Sequence, residues 1–213
     1  MSIVEYEHID PEFPDAKSHE ASGIALLCST CHGNVTRKFW SKAKIAEARC
    51  KPQCKEIGFS WGALDIGAHH PVIRFAGVTF RRCAIPVEVR GTPLFQIEQP
   101  EAPGTPFRLS ATFASAEGEP LFEIRQNEWT ARAGVWDTEF VGGRITIRDK
   151  KDSQRLILRT EPPHGIAVEQ LDMQVRGHRF IGDTDTLRVV FPGGGFGEFT
   201  NCGMDGCRVG ISL

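Results

Sequence analysis

The sequence predicts an α+β chain in two parts, a small mixed module over residues 1–57 and an all-β domain over residues 71–213, with a linker at 58–70. Three observations predict it. Four of the seven cysteines, Cys28, Cys31, Cys50 and Cys54, crowd into the first quarter of the chain, while Cys83, Cys202 and Cys207 are scattered through the rest. From Gly58 onward, short runs of Val, Ile, Phe, Leu and Thr alternate with turn residues, which is the pattern of strands and hairpins. Helical periodicity is scarce in that second part.

In the first part, Glu5 to Ile9 reads as a short strand and Gly23 to Leu27 as a second. Ser41 is placed to cap a helix running through Arg49 and ending before Pro52, since a serine oxygen accepts from the first free amides and proline cannot continue the helix. The order is strand, loop, strand, cysteine turn, helix. A piece this small buries too little apolar surface to hold itself by packing alone, so a metal staple is expected.

In the second part the expected strands are Val72 to Phe80, Val87 to Val89, Leu94 to Glu98, Phe107 to Phe113, Leu121 to Arg125, Trp136 to Val141, Arg144 to Arg148, Arg155 to Arg159, Ile166 to Val175 and Thr186 to Phe191. Glu117-Gly118-Glu119-Pro120 and Gly142-Gly143 read as hairpin connections. The expected architecture is a sandwich of two antiparallel sheets. A β-solenoid is the runner-up, because Ile145/Ile147, Leu156/Leu158 and Val168/Leu171 recur at loosely similar intervals.

The hydrophobic fraction of 40% and charged fraction of 24% are those of an ordinary globular protein, and no apolar run approaches the roughly 18 residues that a membrane span needs. The opening MSIVEYEHID is acidic where a signal peptide is basic, so the cytoplasm is the expected location. An odd number of cysteines in a reducing compartment points to thiols or metal ligands rather than disulfides. A net charge of −2 gives no overall attraction to nucleic acid, so a local patch has to supply it.

Cys28-Ser29-Thr30-Cys31-His32 is the sharpest signal, because two thiolates two residues apart grip one face of a tetrahedral Zn²⁺. Cys50 and Cys54 either supply the other face or are ordinary thiols; the 18-residue interval suits a closed site. Glu7, His8 and His32 add a carboxylate and two imidazoles in the same module, enough to bind a second metal.

Tyr6-Glu7-His8-Ile9-Asp10-Pro11, then Ala25-Leu26-Leu27-Cys28-Ser29-Thr30-Cys31-His32, then Val35-Thr36-Arg37, resembles an HNH-type nuclease domain over roughly residues 4–50. The resemblance implies a ββα-metal finger that cuts phosphodiesters with one divalent ion, Mg²⁺, Mn²⁺ or Ni²⁺, beside a structural Zn²⁺. It implies that His8 is the base that activates water and that Glu7 and His32 hold the catalytic cation. The chain departs from the family pattern in two places. Gly23 stands where the family uses an asparagine to orient the loop bearing the base. The cysteine pair usual upstream of the Glu-His strand is also missing: the chain begins too far downstream, or it is a truncated relative, or Cys50 and Cys54 serve as the second half.

Arg37, Lys38, Lys42, Lys44, Arg49, Lys51 and Lys55 form a cationic stripe interrupted by Glu47 alone, which either tracks a nucleic-acid backbone, duplex DNA being the expected partner, or is the solvated face of a helix. Phe39 and Trp40 interleave it and either stack on bases or pack beneath the helix. The β domain offers weaker signals. His69-His70 on one strand would point to opposite faces, and Pro192 to Gly197 lacks the lysine and helix of a phosphate loop. Asn127-Glu128-Trp129 and Val135-Trp136-Asp137 read as aromatic anchors of a β core. The expected function is a metal-dependent endonuclease with a β domain for binding or positioning. The rival is a non-catalytic, zinc-stabilised binding module fused to a β-sandwich interaction domain.

Overall fold

The computed structural model describes residues 4–52, 55–56, 58–132, 137–150 and 153–213. The chain is mostly β and divides into two compact units, Met1–Ser60 and Trp61–Leu213.

The first unit is built on an antiparallel hairpin of β1 (Val4–His8) and β2 (Ile24–Cys28), with Glu7 opposite Ala25 and Glu5 opposite Leu27. Side chains alternate across a strand, so Glu5, Glu7, Ala25 and Leu27 share one face while Tyr6 and Leu26 lie exposed on the other. Two helices follow, α1 (Ser29–Thr36) and α2 (Lys42–Cys50). The second is the expected one, capped by Ser41, whose Oγ accepts from Lys44 N at 3.2 Å. The first was expected only as a cysteine turn; it begins at Cys28, whose Sγ accepts from Cys31 N at 3.3 Å. Among the described residues the buried core of this unit is Ala25, Val35 and Ile45, edged by Ile9, Leu27 and Trp40. So small a core matches the expectation that packing alone is thin here.

β3 (Phe59–Ala63) runs across the boundary, and the second unit continues with β4 (Val72–Phe75), β5 (Val78–Arg81), β6 (Ile85–Val89), β7 (Thr92–Pro93), β8 (Phe95–Glu98), β9 (Arg108–Ala114), β10 (Pro120–Arg125) and β11 (Glu128–Arg132). After them come β12 (Asp137–Val141), β13 (Arg144–Lys150), β14 (Ser153–Glu161), β15 (Gly165–Val175), β16 (His178–Gly182), β17 (Thr186–Val190), β18 (Phe196–Thr200), β19 (Cys202–Asp205) and β20 (Val209–Ser212). One sheet has the order β3-β11-β10-β9-β8, and a second runs as an antiparallel meander from β12 to β18. The stretch expected as a linker holds β3 and the fully buried Ile66.

The pairing is not purely antiparallel, which corrects the expected sandwich. β15 pairs β4, β19 pairs β5 and β20 pairs β6, all in parallel. Strands far apart in sequence meet there, and parallel neighbours need long connections that leave no hairpin signal. Gly142 and Gly143, at φ 57° and 77°, make the tight turn between β12 and β13 that L side chains resist. A file of aromatic contacts joins the two sheets into one core: Phe75 to Phe95, Phe95 to Phe113, Phe113 to Phe122, Phe122 to Trp129 and Trp129 to Phe140, with ring centroids 4.7 to 6.0 Å apart. Trp129 is an aromatic anchor as expected; Val135 and Trp136 lie outside the described residues.

Candidate metal and nucleic-acid site

β1 and α1 together position the first cluster. Glu7 points inward from β1 and is buried at 6% exposure, and His32 faces it from the first turns of α1. His32 Nε2 is 3.2 Å from Glu7 Oε2, and its Nδ1 is 2.9 Å from Glu5 Oε2. Both ring nitrogens are therefore engaged, with the two carboxylates on opposite sides of the imidazole. Glu5 was not anticipated, although its signal was present: two residues before Glu7 on a strand, it had to share that face. Lys42, at the start of α2, places its ammonium on Glu7 Oε1 and on the backbone carbonyl of His8. A positive charge thus already sits on the buried carboxylate.

His8, the next residue along β1, turns its ring the other way. It lies 3.0 Å from His19 Nδ1 through Nε2, edge-on to Phe13, and Phe13 stacks on His19. Gly23 closes this loop. Its carbonyl accepts from Ile9 N at 2.8 Å, and a Cβ there would stand 2.4 Å from the Asp10 carbonyl oxygen. An asparagine does not fit at that position in this backbone, so His19 and Phe13 are what hold His8.

Cys28 and Cys31 are brought together at the start of α1. The Cys31 thiol is pushed up to about 11, first by burial, then by its hydrogen bond to Cys28 and the charge of Cys28, against an opposing pull from Lys44. It is protonated at neutral pH unless a metal displaces that proton. Cys50 lies elsewhere. Its thiol donates to Ala46 O at 3.5 Å and it lines a hollow with Ile9, Asp10, Ser22 and Gly23, at the opposite end of the hairpin from Cys28. Cys54 lies outside the described residues. Among the described residues, no three His, Cys, Asp or Glu side chains converge as a ready metal site. For Glu5, His32 and Glu7 the reason is geometric, since the imidazole lies between the carboxylates.

An open cleft of about 900 Å³ is lined by Glu7, Glu12, His32, Lys38, Phe39, Trp40, Lys42 and Lys44, among others. Of the expected cationic stripe, Lys38, Lys42 and Lys44 are at this cleft. Lys42 is turned towards Glu7, Lys44 lies 4.4 Å over the Trp40 ring, Arg49 donates to Ser22 O, and Arg37 caps α1 at the surface. The two aromatics divide: Trp40 packs against the small core and Phe39 is 76% exposed.

No family model, no curated protein and no solved structure matches this chain. No helix among the described residues is long and apolar enough to cross a membrane. The weaker signals of the second unit find structural explanations. His70 packs on Phe107, and Pro192 to Gly195 form the connection between β17 and β18.

Proposed function

We propose that the amino-terminal unit is an HNH-type, ββα-metal endonuclease that hydrolyses DNA phosphodiester bonds in the cytoplasm, and that the β-rich unit binds or positions. The observation that carries this reading is the contact of buried Glu7 with His32 Nε2, one residue from His8. A carboxylate and an imidazole suit Mg²⁺, Mn²⁺ or Ni²⁺, and Glu5 fixes the His32 ring so that Nε2 faces the carboxylate. Glu7 and His32 would hold the cation, which supplies charge neutralisation at the scissile phosphate. His8 would take the proton from the attacking water, with Phe13 and His19 limiting its ring to one orientation. Lys38 and Lys44 at the cleft would meet the phosphate backbone, with Arg37 beside them on the surface. Cys28 and Cys31 would grip one side of a structural Zn²⁺.

A second reading, a non-catalytic zinc-stabilised binding module, is favoured by two observations. The Lys42 ammonium occupies Glu7, and the His8 ring is engaged with His19 rather than with the Glu7–His32 pair. Incubating the full chain with duplex DNA, single-stranded DNA or RNA under each of the three metals separates the readings. The nuclease reading expects metal-dependent cutting of the duplex. Binding without cutting of any nucleic acid hands the unit to the second reading.

A further inference from the structure

Two runs of chain that are far apart in sequence lie side by side through the second unit. Cys202 is opposite Val78, Asp205 opposite Arg81, Val209 opposite Ile85 and Ser212 opposite Glu88. The parallel register stays constant across the gap between β19 and β20, and residues 83 and 207 are separated by the same 124 positions as those pairs. Both are cysteine. Ala84 N donates to Cys207 O at 3.3 Å, Gly206 N to Arg81 O at 3.1 Å and Ile85 N to Arg208 O at 2.9 Å, so the backbone is fixed on both sides of the pair. Cys83 is fully buried, Cys207 is half-buried, and their sulfurs are 2.8 Å apart.

We propose that Cys83 and Cys207 are a disulfide-forming pair that reacts with low-molecular-weight disulfides and, once oxidised, fastens the two carboxy-terminal strands to β5 and β6. Neighbouring strands run roughly 5 Å apart, within the Cα separation that a disulfide spans, and closing the sulfurs to a bond of roughly 2 Å needs no rearrangement of the backbone. The more accessible sulfur reacts first. The Cys207 thiolate attacks one sulfur of the small disulfide, forms a mixed disulfide and expels one small thiolate. Cys83 then loses its proton, its sulfur attacks the Cys207 sulfur, and the second small thiolate leaves. The two thiolates released take up the two cysteine protons, so the protein is oxidised by two electrons and the small disulfide is reduced to two thiols. Cys83 stays a thiol until that second step, because burial and its hydrogen bond to Cys207 push it up to about 12.

The bridge closes a loop of 124 residues, and long loops gain the most from cross-linking because the unfolded chain loses the most freedom. The other cysteines set the contrast. Cys50 is exposed and its thiol donates to Ala46 O of its own helix, with no other cysteine sulfur beside it among the described residues.

The test uses the full chain incubated with oxidised glutathione or with a phosphine reductant. Non-reducing peptide mass mapping should find the peptides carrying Cys83 and Cys207 joined and lighter by two hydrogens, with neither residue available to alkylation after denaturation. The thermal midpoint of the second unit should rise on the order of 10 °C on oxidation. Cys207→Ser should lose that rise while its reduced form melts near the reduced wild type. If the variant does not fold, the oxidised and reduced wild-type forms still decide the matter. The proposal is overturned if both cysteines alkylate separately after oxidation, if glutathione remains on Cys207, if either links to a different cysteine, or if the bridge forms without raising the midpoint.

Discussion

Replacing Lys42 by methionine should make the amino-terminal unit less stable without metal and a tighter binder of divalent cations. Glu7 is 6% exposed and the Lys42 side chain 32% exposed, so the pair lies between surface and interior. At contact and an effective dielectric near 20 such a pair is worth about 4 kcal/mol before desolvation. Solvent around the ammonium reduces the net term to about 1–2 kcal/mol. Without Lys42, Glu7 keeps His32 as its partner among the described residues, and the unit should lose that amount. A cation approaching Glu7 no longer displaces an ammonium, so its affinity should rise by the same amount, roughly tenfold. Calorimetric titration of both proteins with Mn²⁺, with thermal melts in chelator, reads the two effects together. A Lys42→Met protein that loses stability but binds Mn²⁺ no more tightly would refute the overlap of ammonium and cation positions.

Other substitutions test other parts of the account. Gly23→Asn should destabilise the first unit rather than reinforce it, because its Cβ would stand 2.4 Å from the Asp10 carbonyl oxygen; denaturant melts check this. Trp129→Ala should cost about 3–5 kcal/mol in chemical denaturation, since the ring is 1% exposed between Phe122 and Phe140. The carboxyl of Asp172 is held below its usual range chiefly by Arg179, with Arg155 adding to it. That stability is present above the unfolded value near 3.8 and is lost as pH falls through the lower folded value, so melts of the second unit below about pH 4 should drop less in Asp172→Asn than in wild type. Cys28→Ser should release bound zinc in elemental analysis, whereas Cys50→Ser should leave it unchanged, because Cys50 is at the far end of the hairpin.

Legibility in the sequence followed locality. Strands bounded by glycine turns, such as β12 and β13, were readable because φ above zero needs glycine there. β11 and β16 were not expected, although Asn127 and Gly177, both at positive φ, stand in the turns before them. α1 was missed because it buries only Val35 and so lacks an apolar stripe; its start is fixed by a thiol cap. The parallel pairs of β4, β5 and β6 join segments far apart in sequence, and no local pattern reports them. In the candidate site, strand alternation puts Glu5 and Glu7 on one face, but the inward turn of Lys42 depends on how α2 packs. Read as part of a cationic stripe, that lysine is also the nearest charge to the buried carboxylate.

In the proposed mechanism Glu7 and His32 serve a cation while His8 serves a proton. The initial rate of supercoiled plasmid nicking by the wild type, His8→Ala and His32→Ala proteins across a Mn²⁺ titration separates these roles. The account predicts a rate that saturates with Mn²⁺ in wild type, partial recovery of His32→Ala at excess Mn²⁺, and a loss of about 10²–10⁴-fold in His8→Ala that no amount of metal restores. A His8→Ala protein that nicks at the wild-type rate, or a wild type that does not nick at any Mn²⁺ concentration, would contradict it.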